Sequence, residues 1–252
     1  MTKPDYTEFI PSLTDQTIDI SFFFSPNEVL NTKMKYSTAP GPDNLTVKGL
    51  NKINVRQKAK LFTIFLRMTW VPDVILSSRT IFIPKGINVT EPSRMRPITV
   101  SSVLLRQFHK VIAARLMRVL SFNEYQFGFR PLDGIAKAVE MMSNIHNQRK
   151  KHLEPINAAF LHVAKAFDSV SHKAIIGILK ERCLDSNIVH YIEQIYQKSK
   201  TVLCFAGEIS DPVYPTRGNR QGDPLSSVIF LLVMDGLCPA ASPTGSWPPP
   251  QQ

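Results

Sequence analysis

The stretch Ala158-Ala159-Phe160-Leu161-His162-Val163-Ala164-Lys165-Ala166-Phe167-Asp168-Ser169-Val170-Ser171-His172 is the point from which the rest of the chain is read. It opens as a short apolar run and closes in a polar turn at Asp168-Ser169. A run of that length, bounded by a turn, predicts a buried strand followed by a helix start. The helix begins at Ser171 or His172 and is expected to bury Ile175, Ile176, Ile178 and Leu179.

Downstream, Ile188 to Tyr196 reads as a further helix, and Thr201–Phe205 with Pro212–Thr216 as a small hairpin around Gly207. Arg217-Gly218-Asn219-Arg220-Gln221-Gly222-Asp223-Pro224-Leu225-Ser226 then sets up a capped helix. Asp223 suits the N-cap and Pro224 the first helical turn. Leu225 to Leu237 is almost wholly apolar and is expected to be buried. A glutamine flanked by glycine lets backbone approach a ligand closely; an ordinary capped core helix accounts for the same residues.

Upstream, Asp133 to Gln148 is helical by period, with Ile135, Ala138, Met141, Met142 and Ile145 expected inward. Ser102 to Leu120 gives the clearest helix, with a serine cap, an apolar face and a second face carrying Arg106, His109, Lys110, Arg115 and Arg118. That basic face reads either as a wet surface or as a track for a nucleic acid backbone. His109 reads as a surface or packing histidine. Two β-branched runs, Arg79 to Lys85 and Arg94 to Val100, make a hairpin whose cations Lys85, Arg94 and Arg96 suit a triphosphate or a template backbone. They equally suit a charged edge that guards against aggregation. Helices are also expected after Pro26, around Val47–Ile53, and with Leu61, Ile64, Phe65 and Met68 on one face. A dense turn lies at Ser37–Asn44.

Composition sets the outer bounds. The 252 residues are 43% hydrophobic and 20% charged, which is globular rather than disordered. A net charge of +10 points to a polyanionic partner or simply to solubility. Three widely spaced cysteines, Cys183, Cys204 and Cys238, form no metal knuckle or disulfide framework, so an intracellular setting is expected, nucleus and cytoplasm left open. No secretory leader or membrane-spanning run is expected.

Lys165, Ala166, Phe167, Asp168, Val170 and His172 match the first catalytic motif of non-LTR retrotransposon reverse transcriptases, Asp-x-x-Lys-Ala-Phe-Asp-x-Val-x-His. The chain also resembles that family at Gly41-Pro42-Asp43, at Arg96-Pro97-Ile98, at Gln126-Phe127-Gly128-Phe129-Arg130 and at Arg217–Ser226. The stretch Arg96 to Lys110 is similar to the elements that insert into ribosomal RNA genes. The resemblance implies an α+β fold with fingers and an incomplete palm, the helices on one face of a small antiparallel sheet and Leu161 on a palm strand. It divides the chain into an N-terminal extension (1–38), a fingers-like region (39–130), a partial palm (131–237) and a Pro-rich tail (238–252). It places Lys85, Arg94, Arg96, Phe167, Gln221 and Gly222 at an incoming nucleotide, and makes Arg106, Lys110 and Arg130 candidates for nucleic acid contact. The implied partner is RNA or DNA, held weakly and in a salt-dependent way.

One position departs from the motif. The family's metal-binding aspartate is His162 here, and no Asp-Asp hairpin follows the last helix, where the chain turns instead to Cys238-Pro239-Ala240-Ala241-Ser242-Pro243. Intact members use Mg²⁺, which needs hard oxygen ligands. Neutral imidazole supplies none, so no cofactor and no catalysis are expected of the chain as it stands. Asp168 lies six residues beyond His162 and, along a strand, about 20 Å away at ~3.3 Å per residue.

Overall fold

The computed structural model describes residues 23–87, 91, 94–153, 155–158 and 160–236. The expected tail (238–252) and most of the N-terminal extension lie outside them. In chain order the described elements are α1 (Pro26–Asn31), α2 (Val47–Leu50), α3 (Val55–Arg67), α4 (Asp73–Leu76), β1 (Ser78–Pro84), β2 (Met95–Ser101), α5 (Val103–Val119), α6 (Gly134–Lys151), α7 (Ala166–Ser169), α8 (His172–Glu181), α9 (Ser186–Lys198), β3 (Thr201–Phe205), β4 (Glu208–Ile209) and α10 (Pro224–Asp235).

Local chemistry accounts for several boundaries. Ser25 and Glu28 form a reciprocal capping box ahead of α1, with Pro26 inside its first turn. The Ser102 hydroxyl accepts from the Leu104 N–H and starts α5. Asp223 accepts from the Leu225 N–H and starts α10.

The core is helical. Phe108 on α5 stacks on Phe62 of α3 at 5.0 Å and meets Phe24, Phe65 and Tyr191 at 5.2 to 5.8 Å. Leu104, Leu105, Val111, Ile112 and Leu116 join it, with Ile188 and Ile192 from α9 and Leu225, Val228, Ile229 and Leu232 from α10. No strand residue belongs to this cluster. Full burial of each such side chain is worth about 1.5–3 kcal/mol, so α5, packed on three sides, organises the fold.

The sheet has the order β2-β1-β3-β4. The expected hairpin forms, with Ile81 opposite Ile98 and Ile83 opposite Arg96. The sheet is mixed rather than antiparallel, because β3 pairs with β1 in parallel. Parallel neighbours need a long crossover, and here that crossover is the whole run from β2 to α9, a pairing with no local signature. The expected hairpin around Gly207 closes tighter than the sequence implies: β3 pairs with Glu208–Ile209, and Thr201 meets Val213 in an isolated bridge.

Three further expectations are corrected. Residues 160–163 are not a buried strand: they carry no regular structure, and Phe160 and Leu161 are 87% and 88% exposed. A strand needs a ladder partner for its backbone groups, and no described strand pairs beside this segment. On α6, Ala138 and Met141 are half-buried, but Ile135, Met142 and Ile145 stay exposed and no side chain of the helix is buried. The basic face of α5 is wet only in part: Arg106, His109 and Arg115 are buried, Lys110 is half-buried and Arg118 is exposed. Arg115 is paired with Glu28 at 2.6 Å and lies 3.9 Å over the Phe24 ring. Its guanidinium also donates to the Phe23 carbonyl, so the charge closes the core edge instead of facing a partner.

Candidate functional site

Two loops, 165–172 and 217–223, are laced together along their backbones. The Gly218 N–H donates to the Val170 carbonyl and the Asn219 N–H to the Phe167 carbonyl, each at 2.7 Å. Ser171 and Arg217 form an isolated bridge, and the His172 ring donates from Nε2 to the Gly218 carbonyl at 3.2 Å. Burial pushes the His172 imidazole below its ordinary value, against the opposing pull of that carbonyl.

Glycine is required at the seam. Gly218 has φ +90°, and a Cβ there would lie 3.0 Å from the Asp168 carbonyl oxygen. Gly222 has φ +103°, and a Cβ there would lie 2.8 Å from the Thr99 carbonyl oxygen. Glycine at these two positions lets the 217–223 loop approach α7 and β2 this closely.

Gln221 is fixed in this seam. Its carbonyl accepts from the Thr99 N–H at 2.7 Å, and its side-chain Nε2 donates to Asp168 Oδ1 at 2.7 Å. Gly222 lies against Ile98, whose Cγ2 would meet a Cβ there at 3.4 Å. Ile98 shares a strand face with Arg96, two residues away. The exposed cations Lys85, Arg94 and Arg96 gather at the loop end of the hairpin, where the Lys85 N–H donates to the Arg94 carbonyl. Arg96 is three residues from Thr99, about 10 Å at ~3.3 Å per residue. Beside the seam, Phe167 stacks on Phe230 at 4.2 Å, with Phe129 edge-on to both.

Other expected site residues lie apart from this group. His162 is exposed on the irregular segment. The Arg106 guanidinium is buried and donates to the Ala39 carbonyl, with its pKa pushed down by desolvation. Lys110 donates to the Lys33 carbonyl. These two do not form the solvent-facing track that the sequence suggested. Arg130 donates to the Gln126 and Asn123 carbonyls and ties its own loop.

Sequence reasoning missed a buried polar relay behind the seam. His109 Nδ1 meets the Asp223 carboxylate at 2.6 Å, and its Nε2 meets the Tyr191 hydroxyl at 2.7 Å. Tyr196 donates to Asn219 Oδ1 at 2.6 Å. Burial works to raise the Asp223 carboxyl, but His109, Arg220 and the Leu225 N–H outweigh it and hold it below the usual range. Burial pushes both tyrosines up, helped by the Asp223 charge. The partners stand 82 and 114 residues apart in sequence, so only the fold brings them together.

Among the described residues the candidate donors do not make a site that fits Mg²⁺. His162 offers no carboxylate. Asp168 is bonded to Gln221, Asp223 to His109, and Asp235 to Arg182 and the Asn123 N–H. Among the described residues no three His, Cys, Asp or Glu side chains gather where they could hold a metal, and no described helix is long and apolar enough to cross a membrane.

Residues 83–242 match the family described as reverse transcriptase (RNA-dependent DNA polymerase). Three curated relatives are Pol polyproteins of R2 retrotransposable elements. The Drosophila melanogaster protein is 35% identical over 82% of this chain and 20% of its own length. The Nasonia vitripennis protein is 34% identical over 84% of this chain and 21% of its own length. The Bradysia coprophila protein is 32% identical over 82% of this chain and 24% of its own length. The chain thus spans about a fifth to a quarter of the length of these relatives.

Proposed function

The chain belongs to the reverse transcriptase (RNA-dependent DNA polymerase) family, and from that premise we propose that it binds RNA and DNA through a fingers hairpin and an incomplete palm but does not polymerise. In this reading residues 39–130 serve as fingers and 131–237 as the partial palm. The hairpin cations Lys85, Arg94 and Arg96 grip phosphates, and Phe167, Gln221 and Gly222 line the place where a base pair would form.

The observation that carries the inactivity is His162. Phosphoryl transfer between two metals needs carboxylates on both sides of the reacting phosphate. One of them is an imidazole here, and Asp168, Asp223 and Asp235 are each committed to another partner. Binding without catalysis leaves a backbone-directed affinity, weak and steeply dependent on salt.

The span of about a fifth of its relatives' length favours a second reading, in which sequence outside the 252 residues supplies the remaining carboxylates. Primer extension on an RNA template, with Mg²⁺ or Mn²⁺, tests the first reading. We expect no dNTP-dependent product from the chain or from His162→Asp. Extension by His162→Asp alone would mean that a single carboxylate was missing. Extension by the unaltered chain would overturn the proposal.

A further inference from the structure

We infer that Asp168 is a positioning residue for Gln221, fixing which edge of its carboxamide faces a bound nucleic acid. The inference rests on the proposed placement of Gln221 at a base pair, and deepens it.

A carboxylate accepts hydrogen bonds and does not donate them. The Gln221 atom 2.7 Å from Asp168 Oδ1 is therefore the amide nitrogen, and the flip of the carboxamide is decided. Gln221 is then left to present its carbonyl oxygen and one remaining N–H. Such an edge pairs an acceptor with a donor, the pattern that a base or sugar edge answers. Without Asp168 the carboxamide would sample both flips and several rotamers.

The placement of Asp168 is itself enforced. Its N–H donates to the Lys165 carbonyl in a turn that Lys165 enters at φ +49°. Its backbone packs against Gly218, where a Cβ would lie 3.0 Å from the Asp168 carbonyl oxygen. Gln221 is held independently through its own carbonyl on Thr99. Both partners are half-buried, so the bond is partly shielded from competing water. Asp168 touches no reacting group and acts only through Gln221.

Electrostatics and positioning predict opposite signs. Deleting a negative charge beside a polyanion site should tighten binding if charge alone matters. Deleting a positioning acceptor should weaken it. The measurement is the anisotropy of a fluorescein-labelled DNA primer annealed to an RNA template, titrated with the full chain at fixed salt. Asp168→Ala should weaken binding roughly three- to tenfold, the range set by one positioned hydrogen bond. Gln221→Ala should weaken it by a similar factor, and the double variant by no more than either single one. Asp168→Asn keeps an acceptor while losing the charge, so it should bind at least as tightly as the unaltered chain, which also controls for folding. Tighter binding by Asp168→Ala, or losses that multiply in the double variant, would overturn the inference while leaving Gln221 in the interface. An inert Gln221→Ala would instead remove Gln221 from the interface and take this inference with it.

Discussion

At the scale of single residues, the most consequential pair is His109 with Asp223, whose side chains are 1% and 4% exposed. Asp223 caps α10 and also hydrogen-bonds a histidine on α5, so one carboxylate joins the seam loop to the core. Removing one partner of a buried pair strands the other, at a cost of about 3–5 kcal/mol. His109→Leu should therefore lower the urea midpoint sharply. His109→Leu combined with Asp223→Ser, which keeps a capping hydroxyl and removes the stranded charge, should cost less than His109→Leu alone. A double variant less stable than the single one would contradict this account. Glu28 makes the second residue-scale prediction. The Arg115 hydrogen bond, against the opposing effect of burial, holds its carboxyl down to about 2 from 4.5. A depressed folded pKa means stability that is present above the unfolded value and lost as pH falls from about 4.5 towards 2. Glu28→Gln should remove a part of the acid sensitivity in that window, on the order of 1–2 kcal/mol once solvent screening of a partly exposed pair is allowed for. Unfolding curves at pH 3 and pH 6 check it: an unchanged pH difference in the variant would count against the pair.

At the scale of elements, the sequence was readable wherever local chemistry decides. The serine cap of α5, the Asp223-Pro224 start of α10 and the hairpin of the Ile81 and Ile98 strands all form as their residues imply. It misled where burial depends on a partner surface. The 3.6-residue period of α6 marks an amphipathic stripe correctly, yet periodicity cannot say what covers the stripe, and Ile135 is 81% exposed. The same holds for Phe160 and Leu161, which read as strand but have no ladder partner among the described residues. The basic face of α5 failed for the converse reason: Arg115 finds Glu28 from 87 residues away, and no local pattern announces such a pairing. In the candidate site, the Gln221 and Gly222 turn was legible from its glycines, whereas Asp168 as its partner was not. The contrast between α5 and α6 is measurable. Amides of a helix packed on three sides open only with global unfolding, while those of an unburied helix open locally. Hydrogen exchange should leave α5 and the middle of α10 protected longest and release α6 at least tenfold faster. Equal protection of α6 and α5 would mean that α6 is covered in solution.

At the scale of the whole molecule, the net charge of +10 does not act as a uniform field. Arg106 and Arg115 are buried in carbonyl and carboxylate contacts, and Arg182 is held by Asp235. Their charge is spent inside the fold. Exposed positive charge stands at the hairpin tip, at Lys85, Arg94 and Arg96, in the last turn of α6 at Arg149, Lys150 and Lys151, and also on the N-terminal helical region, for example at Lys52, Arg56 and Lys60. Of these places the hairpin tip is the one where we expect phosphates to be gripped. Each phosphate neutralised contributes about −0.9 to the slope of log K against log salt for duplex DNA and about −0.7 for a single strand. Reversing Lys85, Arg94 and Arg96 to glutamate together should weaken RNA and DNA binding alike and flatten that slope by about 2 to 3. The hairpin register does not depend on these side chains, since the strands are held by backbone pairing from Ser78 opposite Ser101 to Pro84 opposite Met95. The triple variant should thus melt close to the unaltered chain. Arg106→Glu makes the informative contrast. Its guanidinium is internal, so it should lose stability first, and any loss of binding should track the unfolded fraction with no change of slope in the folded remainder. Filter binding from 50 to 300 mM salt, run beside thermal melts, separates the two cases. A slope that the triple hairpin variant leaves unchanged would show that the hairpin tip is not where the phosphates sit.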